Sequence, residues 1–310
     1  MASGVVDSHC HAWARWPYLP PVPDEASRGT AAQLIYEMDN NGVGAALIVC
    51  APIDKNAENQ SYLGRAAEQF PGRLYLTGDL DSRWSTTYHR PGALDRLAAL
   101  TERHEVRAVS HYLGELNDGW LVSSEADALW SKLEAHSLVL SVSATPPWQA
   151  DLRQVARRHP DLPIICHHLG LVALGSPSAD EHARDVLASA AVENLYLKVS
   201  GMHYSEPDGW DAPWPLSQRF FRQLLAEYGA KRLCWGSDFP ASTRYCTYRQ
   251  SLEVLCHHGA DLTGEDRREL LGGTISRLLK VHTSGSGDEG APGNMARGGR
   301  LAQREAEEER

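Results

Sequence analysis

No run of apolar residues in the chain approaches the roughly 20 that a membrane-spanning helix needs. The opening Met1-Ala-Ser-Gly4 lacks a basic stretch followed by an apolar one, so neither a signal peptide nor a membrane anchor is expected. A dense lysine and arginine block is missing too. The formal net charge is −10, and the stretch from Val281, with four basic and six acidic residues, leaves −8 for the body. An acidic body without a basic patch argues against nucleic acid or an anionic membrane as partner. It leaves an anionic small substrate open, since local charges handle that. The six cysteines, at 10, 50, 166, 234, 246 and 256, are scattered with no Cys-x-x-Cys pair, which argues against a zinc ribbon. Four of them lie in apolar runs of strand length, the pattern of reduced, buried cysteine in a cytoplasmic protein.

What is present is an alternation. Apolar runs of strand length occupy 4–11, 45–50, 74–80, 106–112, 138–143, 163–169, 195–200 and 232–236. Amphipathic stretches of helical period separate them at 31–41, 59–70, 91–103, 124–136, 149–158, 180–190 and 217–228, and two more follow at 248–258 and 265–280. Seven of the eight apolar runs lack clear inside/outside alternation, as parallel strands buried on both faces do. No Gly-x-Gly-x-x-Gly follows any of these runs, so a dinucleotide-binding sheet lacks its phosphate loop. The expectation is an α/β fold, a single (β/α)8 TIM barrel over 1–281. The remainder, 282–310, is Gly/Ser-rich and then charged, and is expected to be disordered and dispensable. The long stretch 12–30 carries Trp13, Trp16, Tyr18 and four prolines, which suits a pocket wall or an ordinary surface loop.

Working residues of such a barrel gather at the C-terminal ends of its strands. The first end carries His9 and His11, two apart, which a strand directs to one face with Cys10 opposite. Two converging imidazoles suit a divalent metal, although His-x-His also occurs by chance. The fourth end carries His111, with Glu115 beyond it; the sixth, His167 and His168; the seventh, Lys198 and then His203; the eighth, Asp238. A single histidine at a strand end is usually satisfied by a neighbour, and Asp238 also reads as a cap. Their coincidence at one rim carries more weight. A carboxylate between Gly-Ser and an aromatic-Pro is also poorly solvated and needs a cation or a proton.

These motifs resemble the amidohydrolase-related TIM-barrel hydrolases, particularly their lactonase branch. The similar segments are Asp7-Ser-His9-Cys-His11 with Trp13 two places on, His168-Leu-Gly170, Lys198-Val-Ser-Gly201, Trp235-Gly-Ser-Asp238-Phe-Pro240, and the closing Leu270 to Leu279. The resemblance spans 4–280. It implies that His9 and His11 hold a metal, that Asp238 binds it and takes a proton from water, and that His168 binds or polarises the substrate. Trp13, His111, Lys198 and His203 are the candidate substrate-binding groups. One divalent ion per chain is expected, with zinc first because imidazole with carboxylate suits it. Manganese comes second, and a metal-free site third.

Two departures from the family pattern bear on function. The fifth strand offers Ser141 and Ser143 where many relatives bring a metal histidine, leaving Glu115, His111 or His203 to complete the shell. Ala108-Val-Ser110 stands where the family's carboxylate-gripping Gly-x-Arg is expected. The leading expectation is a hydrolase opening a lactone or related cyclic ester or amide. Behind it stand a metal-free lactonase, a non-oxidative decarboxylase of an aromatic or muconate-type acid, and a barrel retained only for binding. The expected partner is a small molecule, and self-association is left open.

Overall fold

The computed structural model describes residues 4–257 and 262–281. Eight strands run through it in chain order: β1 Val6–Cys10, β2 Ala45–Val49, β3 Leu74–Asp79, β4 Val106–Tyr112, β5 Val139–Ser143, β6 Ile164–Cys166, β7 Leu195–Val199 and β8 Leu233–Trp235. Each pairs in parallel with the next, in the order β1 to β8. Beyond the strand ends, Asp238 N–H donates to the His9 carbonyl at 2.7 Å and His11 N–H to that of Phe239 at 2.6 Å. These bonds draw the last segment against the first, and the barrel is nearly closed. Helices α1 Ala31–Asn40, α2 Asn59–Gln69, α3 Ala93–Arg103, α4 Ser124–Ala135, α5 Gln149–Arg158 and α6 Ala179–Ala188 follow the first six strands, and α7 Met202–Ser205 with α8 Pro215–Tyr228 follows the seventh. The final expected helix is broken. It consists of Gly264–Arg268, a π-helical turn Glu269–Gly273 and Thr274–Leu279. The expected disordered tail, 282–310, lies outside the described residues.

The parity of each strand explains what faces the barrel interior. Ala45 and Leu47 of β2 join Val6, Ala108, Val139, Ile165 and Cys234 in an inner cluster, plugged by Ile275, Leu278 and Leu279 of the last helix. Their neighbours Ala46, Ile48, Val109, Leu140, Ile164 and Leu197 face the helices in the larger outer core. Above the inner cluster the same inward positions turn polar, at Ser141 of β5 and Lys198 of β7, both fully buried. Strand β1 would break this pattern, because alternation from Val6 would point Ser8 and Cys10 inward. A register shift between Asp7 and Cys10 corrects it: Asp7 pairs with Ala46, but Cys10 pairs with Ile48. Bulges of this kind re-aim side chains. Here the bulge turns His9 and His11 inward and sends Cys10 into the outer core.

Asp7, first residue of the histidine motif, is the brace of this corner. Its carboxylate accepts from His9 N–H (3.1 Å), Ser237 N–H (2.9 Å), Ser237 Oγ–H (2.5 Å) and Tyr248 O–H (2.9 Å). All four partners donate. Asp7→Asn, which offers two N–H groups to an all-donor site, is expected to destabilise the fold by about 1–3 kcal/mol, read from chemical denaturation. An unchanged denaturation midpoint would contradict this role.

Candidate active site

A buried polar chain crosses the barrel below the site. Lys198 Nζ lies 3.0 Å from His9 Nδ1 and 2.8 Å from Ser141 Oγ, and Ser141 Oγ lies 2.7 Å from His167 Nε2. Burial and then the nearby Lys198 hold His9 and His167 well below the ordinary histidine range, so both are neutral. Lys198 itself is lowered by burial to about 8.

Above this chain three side chains converge. His9 Nε2 lies 3.4 Å from Asp238 Oδ1, and His11 Nε2 lies 3.6 Å from the same oxygen. The other oxygen, Oδ2, accepts from the Tyr204 hydroxyl at 2.7 Å. Burial alone would raise Asp238, but His168, His11 and His9 outweigh it and hold the carboxyl well below its usual range. Asp238 is therefore ionised at neutral pH. Gly236 makes the approach of β8 to β1 feasible: a Cβ there would lie 2.7 Å from His9 Cβ and 2.9 Å from His9 N. Real Cβ atoms do not come so close.

The donor set fits a divalent cation. His11 Nδ1 lies 2.7 Å from the Val49 carbonyl, which only accepts, so Nδ1 carries a proton and Nε2 is the nitrogen left to face the site. It faces a carboxylate oxygen, a pairing that a proton or a bound cation between the two atoms satisfies. His9 Nε2 is buried without a hydrogen-bond partner. Ligand atoms around one tetrahedral zinc lie about 3.4 Å apart, given bonds of about 2.0–2.1 Å, and both separations here are close to that. His9, His11 and Asp238 thus form a candidate metal centre, and His9, His167 and His168 form a second grouping that shares His9.

His168 enters the cavity from a left-handed turn, with positive φ at His168 (49°), Leu169 (52°), Gly170 (73°) and Leu171 (54°). Such backbone costs roughly 1–2 kcal/mol per non-glycine residue, and local strain of this kind clusters at functional sites. Its Nδ1 lies 2.9 Å from Ser200 Oγ, and burial lowers the imidazole to about 4, so it is neutral. Gly201 keeps the β7 end clear: a Cβ there would come within 2.6 Å of the Tyr204 ring and 2.7 Å of His168 Nδ1.

These groups open into a cavity of about 350 Å³ lined from the C-terminal ends of all eight strands, of a size that suits small-molecule sites. Trp13 and Tyr18 form one wall, with the Trp13 ring stacked on His11 at 4.9 Å. Arg83, Trp84 and Tyr112 form another, and His168, Tyr204 and Asp238 a third.

Several of the sequence-proposed residues lie away from this cavity. His111 does not line this cavity. It sits one residue off the inward position that Tyr112 occupies, donating to the Leu80 carbonyl at 2.8 Å and facing His89 at 3.2 Å. Lys198 is fully buried, contacts His9 and is not among the residues that line the cavity. His203 is buried against Tyr245, ring centroids 4.4 Å apart, and its neighbour Tyr204 takes the position expected of it. Neither His111 nor His203 joins the metal grouping, and Glu115 is exposed beyond β4. Of the loop 203–215, only Tyr204 reaches the cavity; Trp214 is buried elsewhere and Trp210 is 70% exposed. Sequence reasoning missed Tyr204, Tyr112 and Arg83, because nothing in their local sequence fixes parity at a strand end. Tyr204→Phe removes the hydrogen bond that orients Asp238 and is expected to lower turnover by about 10–100-fold, as outer-shell changes do. Steady-state kinetics with turnover unchanged would show Asp238 to be held by the histidines alone.

A family profile described as amidohydrolase matches residues 6–281. The chain belongs to the amidohydrolase family. It is accordingly an enzyme, a hydrolase. It is 28% identical over 246 residues to the L-fucono-1,5-lactonase of Burkholderia ambifaria, covering 76% of this chain and 80% of that one. A zinc-bound amidohydrolase from Burkholderia multivorans superposes with a TM-score of 0.72 at 19% identity, covering 90% of this chain and 99% of that one. A probable 2-pyrone-4,6-dicarboxylic acid hydrolase from Acinetobacter baumannii, with citric acid bound, superposes with a TM-score of 0.71 at 17% identity, covering 89% and 99%. At these identities the two structures show the fold. Among the described residues, no helix is long and apolar enough to cross a membrane.

Proposed function

We propose that this amidohydrolase opens a lactone by adding water to its carbonyl carbon at the His9/His11/Asp238 centre. The observation that carries the reading is the ionised Asp238, one oxygen held by Tyr204 and the other facing both histidines at the floor of the cavity. The lactonase relative and the pyrone hydrolase neighbour support a cyclic ester as the substrate class. The zinc-bound neighbour and the donor set support zinc as the ion, with His9, His11 and Asp238 holding it. When bound, such an ion acidifies water from a pKa of about 15.7 towards about 7.

The protein's own groups carry the rest. Asp238 accepts a proton from the attacking water. Neutral His168, held by Ser200 on the cavity wall, hydrogen-bonds the carbonyl oxygen as it gains charge. The water oxygen joins the carbonyl carbon and the ring acyl C–O bond breaks. The departing alkoxide recovers the proton from Asp238, leaving a hydroxy acid. Trp13 and Tyr18 shield this step from bulk water.

A panel of five- and six-membered lactones, followed by proton release, tests the reading against a panel of aromatic and muconate-type acids followed by carbon dioxide release. Ring opening is expected, and decarboxylation without ring opening would overturn it. Zinc binding should also depend on pH. Ligation through His9 Nε2 places the proton on Nδ1, so Lys198 must accept it as a neutral amine. Affinity measured by competition with a chromophoric chelator should therefore rise from pH 6.5 and level off above about 8, where Lys198 has lost its proton. A flat profile from pH 7 to 9 would show that Lys198 is not coupled to the ion.

A further inference from the structure

We infer that Arg83 is a substrate-recognition residue, and that the lactone this enzyme takes carries a carboxylate besides its ring ester. The inference rests on the lactonase reading and adds the substrate's charge. Arg83 lines the cavity from the β3 end. On an eight-stranded barrel that end lies three strands around from β8, so Arg83 and Asp238 enter the cavity from well-separated strand ends.

Among the described residues its guanidinium has no hydrogen-bonding or ion-pair partner, and the acids closest in sequence are already engaged. Asp79 accepts from Ser82 Oγ. Asp81 accepts from Arg96 Nε at 2.8 and 2.9 Å and from Thr87 Oγ1 at 2.5 Å. The Arg83 backbone is pinned, its N–H donating to the Tyr112 carbonyl at 2.9 Å, so the side chain leaves from a fixed point. Solvation alone would account for an exposed arginine on a rim. It does not account for Tyr112 on the same cavity lining. The Tyr112 hydroxyl belongs to the same cavity wall, yet it is buried and has no hydrogen-bond partner. A buried hydroxyl left unpaired is costly until something fills its bonding capacity. Ser143 and Thr145 add further hydroxyls on the adjoining strand end.

An unpaired guanidinium and an unpaired phenol lining one cavity are a donor set for a carboxylate. The position also accounts for the missing arginine on β4. Ala108-Val-Ser110 carries no cation, and Arg83 reaches the same cavity from the neighbouring strand end.

Two unreactive rings of one shape test this by calorimetry, tetrahydropyran-2-carboxylate and its neutral counterpart tetrahydropyran-2-methanol. The wild-type chain is expected to bind the carboxylate about 10-fold or more tighter than the alcohol. Arg83→Met should abolish that preference without changing affinity for the alcohol, and Arg83→Lys should keep part of it. Equal affinities in the wild type, no carboxylate binding in the millimolar range, or a preference surviving in Arg83→Met would each overturn the inference. None of these outcomes depends on ring opening. A chain that prefers the carboxylate ring yet opens no lactone would instead overturn the lactonase reading alone.

Discussion

Asp238→Asn is expected to lower kcat by at least about 10²–10⁴-fold, the range for loss of a general base, while the melting temperature changes far less. The asparagine keeps the size of the side chain, and its amide can still meet the Tyr204 hydroxyl. It cannot accept a proton from water, and it removes the negative charge that balances a cation between His9 and His11. Zinc affinity should fall together with turnover. Stability should fall only modestly, because the histidine contacts that favour the ionised carboxylate are lost together with the cost of burying its charge. Kinetics, zinc content and thermal unfolding of the same preparation separate these effects. Turnover near wild type in a well-folded variant would make His168 the leading candidate for the base.

The second large effect is expected at Gly236, a residue with no side chain to contribute. A methyl group there would sit 2.7 Å from His9 Cβ and 2.9 Å from His9 N, where β8 meets β1. Neither neighbour can yield easily. The His9 carbonyl is tied to Asp238 N–H at 2.7 Å, its ring to Lys198 at 3.0 Å, and Asp7 and Ser237 are joined across the same corner. Overpacking of this kind costs about 1–3 kcal/mol, and a displacement near 1 Å at a reacting group costs about 10²-fold in rate. Gly236→Ala is therefore expected to lose both stability and turnover, whereas the main loss in Asp238→Asn is turnover. Gly236→Ala with an unshifted unfolding midpoint and normal kinetics would mean that the strand ends separate freely.

The barrel was largely legible in the sequence because its signal is carried by composition. Apolar-rich runs such as 45–50 and 106–112, each followed by a stretch of helical period, read as buried strands, and observed β2 and β4 match them within a residue. The candidate metal residues were legible through the resemblance, while their convergence was not. Cys10 and His11 exchange faces through a bulge in β1 that no alternation of residue types announces. One-residue parity also decided between His111 and Tyr112, and between His203 and Tyr204. A histidine draws attention as a titratable group, but the inward position went to the tyrosine in both cases, because strand or turn geometry beyond the apolar run sets direction. Lys198 lies off the cavity lining for the opposite reason. Its position on β7 is inward but one layer too deep, beneath His9 rather than beside the cavity. Arg83 lay beyond the end of its strand, where periodicity carries no information.

The central claim is that water adds to a lactone carbonyl at Asp238, and ring opening in ¹⁸O-enriched water tests it most directly. With the lactone that the panel identifies, mass spectrometry of the hydroxy acid should find one ¹⁸O per turnover. That label should lie in the carboxylate and none in the new hydroxyl, and Asp238→Asn should suppress its formation to near the uncatalysed rate. Label in the hydroxyl group, or labelled product forming equally fast with Asp238→Asn, would contradict the account.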